Sequence, residues 1–497
     1  MRRRHVPGWT VVAEQPVGGN STAFVSAMLL RAISLMMALA AAPLATSGRA
    51  PVADAAPVAS WPYVATPDGD QLLAVDPTTL ASSSEAAGSF APPGPTRTPG
   101  TGAGYVAWLA SADGATLVRY AVDLSAGGPM GRAEFTVFDA ATGGVRSAFP
   151  APEWGQQIPQ LSADGRVLAI EVGTGALVHG VDGTLTIARQ PTWYAFDTAT
   201  GAEIARVQGD GGALAGLQRL GYLDPAGARL YRLVAVGRQE ATGPWPTQVV
   251  AVDLASGHEI GRVDLPGVRS GFWWTGRVRA PHEYQDDYLT PSLAASADGR
   301  TLVVLDGDGT AATVVDTATM SVRGGVAVEL TARRSFTVAH AGTGGCPATY
   351  PLCGSSIGPE VQALAMPDAD HVLVGGYAAA RTGEDGVAVR DYGLQLVRLA
   401  TGGVAATADA PPTTVLGVVF GQRRLWPALG GEAYYAIGLR PVAPAATATP
   451  AAESAPARTI LYRFDADDLR VTAERDITNG WSVSVVVLAQ PLPDRWG

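Results

Sequence analysis

Residues 291–328 read PSLAASADGRTLVVLDGDGTAATVVDTATMSVRGGVAV. Short apolar runs alternate here with turn residues: Ser292 to Ser296, a turn at Asp298-Gly299, Thr301 to Leu305, a turn at Asp306 to Gly309, Ala311 to Asp316, another turn, then Ser321 to Val328. Runs this short, rich in Val and Thr and bounded by Asp and Gly, specify strands and not helices. Four of them joined by tight turns make one antiparallel sheet.

Working outward, the phrase that closes the third strand recurs along the chain. It reads AVDPTT at 74–79, VFDAATG at 137–143, AFDTATG at 195–201, AVDLASG at 251–257 and VVDTAT at 314–319, with degenerate copies VRLATG at 397–402 and RFDADD at 463–468. The Asp carboxylate caps the turn and Gly accepts the left-handed conformation that sends the next strand back. A second phrase precedes most copies: SADG at 111–114, 162–165 and 296–299, with looser versions TPDG at 66–69, DPAG at 224–227 and MPDA at 366–369.

Seven copies of a four-stranded unit predict an all-β, seven-bladed β-propeller of antiparallel blades over residues 56–497. The cap positions 76, 139, 197, 253, 316, 399 and 465 stand 56 to 83 residues apart, whereas a bare blade needs about 40 to 45. The surplus is expected to leave as loops at 173–190, 237–247, 266–290, 333–360 and 377–392, with low-complexity loops at 92–99 and 442–456. These repeats resemble the WD-repeat-like and YVTN-type repeats of bacterial extracytoplasmic β-propellers over nearly the whole chain after residue 60. The resemblance implies a fold; its motifs are turn chemistry that propellers of very different roles share.

A propeller must join its first blade to its last or leave two sheet edges open to water. The first blade has strands Trp61 to Thr66, Gln71 to Asp76 and one near Leu80, but lacks its innermost strand. A strand at Trp481 to Leu488 remains unassigned and is expected to fill the vacancy, next to Val64. The alternative leaves it in the last blade, where residues 413–429 are irregular.

Residues 1–55 form a separate segment. Arg2, Arg3 and Arg4 precede an apolar run from Ala23 to Ala45 that Arg31 interrupts. The 14 residues from Ala32 to Ala45 suit a signal peptide better than a membrane span of about 20. An uncleaved N-terminal anchor helix is the other reading. Both place the propeller outside the cytoplasm, with membrane attachment only through that segment. An oxidising compartment lets Cys346 and Cys353 pair, a loop worth about 2–3 kcal/mol.

Charge and composition narrow the function. The net charge of −10 repels a phosphate backbone, so nucleic acid is not an expected partner. All 35 basic residues are Arg, which removes chemistries that need Lys: the Walker A phosphate loop, pyridoxal Schiff bases, kinases and Ser-x-x-Lys acylation. The His residues 5, 179, 258, 282, 340 and 371 match no zinc spacing. The Gly354-to-Gly358 sequence GSSIG lacks the helix a nucleophile elbow needs, and the calcium-like DGDG at 306–309 has Thr317 where an EF-hand requires Glu. No catalytic residue, metal or cofactor is expected.

The insertion at 266–290 combines aromatic and charged residues, the composition of a recognition surface. Trp273, Trp274, His282, Tyr284, Asp286, Asp287 and Tyr288 are the candidate ligand-binding residues. Against this stands the reading that the two Trp fold back over the blade edge. Trp154 and Trp245 are lesser candidates. The sequence thus predicts an exported, monomeric, non-catalytic scaffold for a protein, peptide or carbohydrate. The competing class is a propeller enzyme of lactonase, glycosidase or quinoprotein type, with its site at the channel mouth.

Overall fold

The computed structural model of the chain describes residues 60–65, 72–81, 104–123, 132–152, 156–173, 177–179, 185–187, 192–209, 221–236, 245–274, 283–289, 291–306, 311–328, 335–339, 363–381, 387–408, 415–416, 425–429, 431–441, 457–477 and 485–489. Every regular element among them is a strand. The N-terminal segment that the sequence reads as a signal or anchor, Cys346, Cys353, His282, Trp154 and the 354–358 sequence lie outside the described residues.

Seven antiparallel blades form in chain order. Blade 2 is Gly104–Ala110, Thr116–Asp123, Arg132–Asp139 and Val145–Pro150, and blade 3 is Gln156–Leu161, Val167–Gly173, Thr192–Asp197 and Glu203–Gln208. Blade 4 is Gly221–Leu223, Arg229–Ala235, Trp245–Asp253 and the first half of Glu259–Trp274; blade 5 is Ser292–Ala295, Thr301–Leu305, Ala311–Asp316 and Ser321–Ala327. Blade 6 is Ala363–Ala365, His371–Arg381, Val387–Arg398 and Val404–Ala408. In blade 7, Leu425–Pro427 and Val415–Leu416 both pair with Ala433–Pro441, followed by Ala457–Asp465 and Val471–Asp476.

Blade 1 closes the ring as the sequence predicts. Val485–Leu488 pairs antiparallel with Trp61–Ala65, with Val64 opposite Val485 and Trp61 opposite Leu488. The alternative that this strand stays in the last blade is overturned. Because side chains alternate along a strand, its neighbours differ on the two sides: Val486 and Leu488 pack with Trp108 and Phe138 of blade 2, while Val487 packs with Tyr435 and Leu461 of blade 7. The same alternation builds every seam. Apolar clusters join blades 2 and 3, 3 to 5, 5 and 6, and 6 and 7.

The turn chemistry is as expected, with three corrections. The Asp139 carboxylate accepts the Ala141 and Thr142 amides at 3.1 and 2.9 Å and the Thr142 hydroxyl at 3.1 Å, and Gly143 takes φ 73°. In blade 6 the cap position is Arg398 and not Leu399: its N–H and C=O close the turn onto Gly403 and Gly402. The TPDG sequence at 66–69 joins the second and third strands of blade 1, because the C-terminal strand takes first place, so it is no counterpart of SADG. Leu80 is a turn residue and not part of a strand; residues 82–100 lie outside the description. It occupies the glycine position with φ 58°, as do Met320 and Leu469 at 47° and 57°. Leu80 and Leu469 are fully buried in blade seams, and burying a Leu, about 1.5–3 kcal/mol, offsets the left-handed backbone cost of about 1–2 kcal/mol.

Candidate functional site

In an antiparallel four-stranded blade the first and third connections share one end of the ring. The second connection and the link to the next blade share the other. At the first end every described connection is a turn of four or five residues: 111–115, 162–166, 224–228, 296–300 and 366–370 between first and second strands, and 140–144, 198–202, 254–258, 317–320, 399–403 and 466–470 between third and fourth. Every long insertion opens at the opposite end. The strands therefore sort the surplus sequence onto one face.

Part of that surplus is strand and not loop, which corrects the sequence expectation. Leu177–His179 pairs with Leu185–Ile187, and the hairpin of blade 6 continues to Arg381 opposite Val387, leaving only 382–386 as its loop. The largest departure concerns 266–290. Glu259–Trp274 stays paired with Trp245–Asp253 as far as Ser270, past a register shift at Pro246/Thr247, and then pairs, through Gly271 to Trp274, with Glu283–Leu289. Glu283–Leu289 then pairs with Ser335–Ala339 from the next insertion. Two insertions that flank blade 5 in sequence thus combine into one three-stranded appended sheet.

Register decides which candidates share a face. Residues directly opposite lie on the same side, about 4.5–5.5 Å apart at Cβ, and side alternates along each strand. Phe272 is opposite Tyr288, Trp274 opposite Asp286, Asp286 opposite Phe336, and Tyr284 opposite Val338. One face therefore gathers Phe272, Trp274, Tyr284, Asp286, Tyr288, Phe336 and Val338. Trp273 and Asp287, opposite each other, belong to the other face with Gln285, Ser335 and Thr337. The candidates adjacent in sequence are split, and Phe336 joins them from 48 or more positions away along the chain. Period-2 alternation could have separated Trp273 from Trp274; nothing local announces Phe336.

Sequence reasoning also missed a polar seam between blades 3 and 4. The Gln160 amide donates to Gly221 O at 2.7 Å and accepts from Leu223 N at 2.8 Å, tying two inner strands together. Beside it Trp193 Nε1 donates to the buried Glu171 carboxylate at 3.2 Å, and the Arg232 guanidinium lies 5.6 Å from the Trp193 ring while donating to Gln208 O. Gly221 is required there, since a Cβ would meet Trp193 Nε1 at 2.3 Å. These groups serve each other, which makes the seam a lock between blades.

At the turn end, hydrogen bonds from Arg323 and the Thr319 amide hold the Asp316 carboxyl down at about 2. Asp224 stands where blades 2, 3 and 5 have Ser, and burial pushes its carboxyl up although it accepts the Ala228 and Arg229 amides at 2.7 and 2.8 Å. Among the described residues no three His, Cys, Asp or Glu side chains gather as a metal site.

No protein-family model matches the chain, and no curated protein does. Solved structures do. The chain is similar to the dihydro-heme d1 dehydrogenase NirN in complex with DHE, at 12% identity and a TM-score of 0.42, over 90% of this chain and 78% of that one. It is similar to the WD40 domain of Toxoplasma gondii coronin, at 12% identity and 0.40, over 74% and 69%. The Cps50 (Swd1) β-propeller domain of Myceliophteria thermophila follows at 11% and 0.37, over 74% and 85%. The ring described above stands on its own strand pairing.

Proposed function

We propose that this protein is an exported, monomeric scaffold that binds a protein, peptide or carbohydrate on the insertion end of its ring, without catalysis. The observation that carries this reading is the sorting of connections: tight capped turns at one end, and at the other insertions that join into a sheet with a shared aromatic face. Large aromatic side chains supply binding area at low entropic cost. Export is supported by the Arg-led apolar segment before Ala45 and by the resemblance to YVTN-type extracytoplasmic repeats.

Peptide and glycan arrays, run beside turnover assays with lactones, aryl glycosides and quinone-linked alcohol oxidation, test the reading. The expected result is retention on an array, reduced at least about tenfold by Trp274→Ala with Tyr288→Ala at an unchanged melting temperature. Turnover of any of those substrates without array retention overturns it in favour of the enzyme class.

A further inference from the structure

Beyond that reading, the outer rim of the ring differs at one blade. In blades 2 to 7 an extra residue near the start of the fourth strand shifts its register against the third. The position after that residue is Ser147, Ala205, Gly261, Ala406 and Ala473 in blades 2, 3, 4, 6 and 7, and each is half-buried. Two of them show how: Ser147 Oγ donates to Thr198 O in the next blade's turn at 2.7 Å, and a Cβ on Gly261 would meet Met320 Cγ of the next blade's turn at 2.5 Å. In blade 5 the position is Gly324, which is exposed, and a Cβ on it would meet nothing within 4 Å. All of Ser321 to Gly325 is exposed, whereas burial interrupts every other described fourth strand by its third residue. Ser321–Ala327 also ends its sheet, so among the described residues its outer edge is unpaired and its two faces are open there. We propose that this edge docks an extended strand of a protein partner, uncharged and carrying an aromatic side chain over Gly324 and Gly325.

Backbone chemistry selects a strand as the occupant. A sheet edge presents N–H and C=O groups at strand spacing, and another strand satisfies them in series. The glycine pair selects the aromatic. Neither Gly324 nor Gly325 has a left-handed φ, and a Cβ on Gly325 would lie at an ordinary 3.8 Å from Ala312 O, so neither conformation nor crowding requires glycine. The same bulge carries Ala148, Arg206, Arg262, Thr407 and Glu474 where blade 5 has Gly325. Glycine inside a strand weakens it and marks the close approach of another backbone; an aromatic ring across the pair covers the bare main chain. Charge selects a neutral segment. Edge strands are ordinarily guarded by charged side chains, as by Arg206 with Glu203 at 3.3 Å in blade 3 and Arg262 with Glu259 at 2.7 Å in blade 4. The one charged residue of Ser321–Ala327 is Arg323, whose guanidinium is held at the turn end by Asp316, with Nε 2.9 Å from Oδ2, and by Thr301 Oγ1 at 3.4 Å. Blade 6 has an uncharged outer strand too, but its Ala405 and Ala406 are half-buried.

The test is anisotropy titration of the full chain with a fluorescein-labelled, capped peptide Ser-Thr-Val-Thr-Phe-Thr-Val-Thr-Ser, with hydrogen exchange locating the contact. Saturable binding is expected, with exchange slowed at least about tenfold in Ser321–Ala327 and unchanged in Val404–Ala408. A strand pairs through one edge, so of two peptides N-methylated at odd or at even positions one is expected to lose at least about tenfold in affinity and the other to stay within about twofold. Replacing the peptide's Phe by Ala is expected to cost about threefold. Gly325→Arg is expected to lower affinity at least about tenfold at an unchanged melting temperature, and Ala148→Arg, at the matching place in blade 2, to leave it within about twofold. The methylated peptides probe the same pairing on the unaltered protein. Absence of saturable binding overturns the proposal, as does an equal effect of the two methylated peptides or of the two Arg variants. A dimer of the free chain in sedimentation that Gly325→Arg dissolves also overturns it, since the occupant is then a second copy. Binding abolished by Trp274→Ala with Tyr288→Ala and untouched by Gly325→Arg belongs to the insertion end, which sinks the blade 5 edge and leaves the scaffold reading standing.

Discussion

The two ends of the ring are built from the same strands by opposite rules. At the turn end consecutive blades touch through backbone: Asp113 N donates to Ala163 O at 3.2 Å, and Ala163 N to Pro225 O at 2.8 Å. Glycine is needed there for close approach as well as for its left-handed φ, since a Cβ on Gly165 would meet Thr116 Oγ1 at 2.2 Å. Among the described residues the insertion end shows no repeated connection, and its sheet is assembled from segments far apart in sequence. The contrast shows where the fold spends its constraint. One end fixes the ring; the other takes insertions of very different length.

The largest test of that contrast is to cut at each place in turn. A chain ending at residue 484 loses Val486, Val487 and Leu488, all buried in seams on both sides. At about 1.5–3 kcal/mol for each fully buried side chain, the loss is roughly 5–9 kcal/mol, as large as the whole stability of many domains. Cooperative unfolding by circular dichroism is expected to vanish. Excising residues 176–188, which carry the separate two-stranded pair at the insertion end and none of the four strands of blade 3, is expected to change stability by only about 0.5 kcal/mol in the same measurement. Comparable losses from both would mean that the insertion end also holds the ring.

This difference also sets what could be read from the sequence. Turn chemistry is local: Asp139 and Thr142, or Ser162 and Asp164, reach partners within five residues, so the motif and its structure coincide. Blade count and the closing strand followed from that local regularity. Blade 6 misled by one position because Arg398 replaces the Asp that marks the register elsewhere. Blade 7 hid its first turn in Ala428 to Gly431, where Gly431 takes φ 73° but no Asp or Ser announces it. The appended sheet was illegible for another reason. Strand pairing between 283–289 and 335–339 is decided by cross-strand contacts that span the whole of blade 5 in sequence, and no spacing rule encodes it.

Within the turn end, glycine offers a finer comparison. Gly165 and Gly299 take the same backbone, φ 69° and 67°, but a Cβ on Gly299 would come no nearer than 3.9 Å to its closest neighbour, Pro225 Cδ. Gly299→Ala is therefore expected to cost only the left-handed penalty of about 1 kcal/mol. Gly165→Ala adds displacement of Thr116 and its neighbours, bringing the expected loss to about 2–4 kcal/mol in urea denaturation. Equal losses would mean that the blade 2 and 3 turns are no more tightly joined than those of blades 4 and 5.

The smallest effect separates two carboxylates of the same end by the sign of their pH response. Asp316, held at about 2 by Arg323 and the turn, contributes stability that is present above its ordinary value of 3.8 and lost as pH falls toward 2. Asp224 runs the other way. Its carboxyl is raised by burial, so its contribution is present below 3.8 and lost as pH rises through the raised value. Asp224→Ser with Ala226→Asp gives Ser-Pro-Asp-Gly, restoring the Ser and Asp of 162–165, where Ser162 Oγ accepts the Val167 amide at 3.0 Å and donates to Asp164 at 2.8 Å. The double variant is expected to gain about 1 kcal/mol at pH 7 and little or nothing near pH 3, measured as melting temperature across that range. Asp316→Asn is expected to lose stability at pH 7 and to converge with the parent near pH 2. If both variants moved in the same direction at pH 7, burial of Asp224 would not be what distinguishes blade 4 from blades 2, 3 and 5, and the uniform turn end would be uniform in energy as well as in shape.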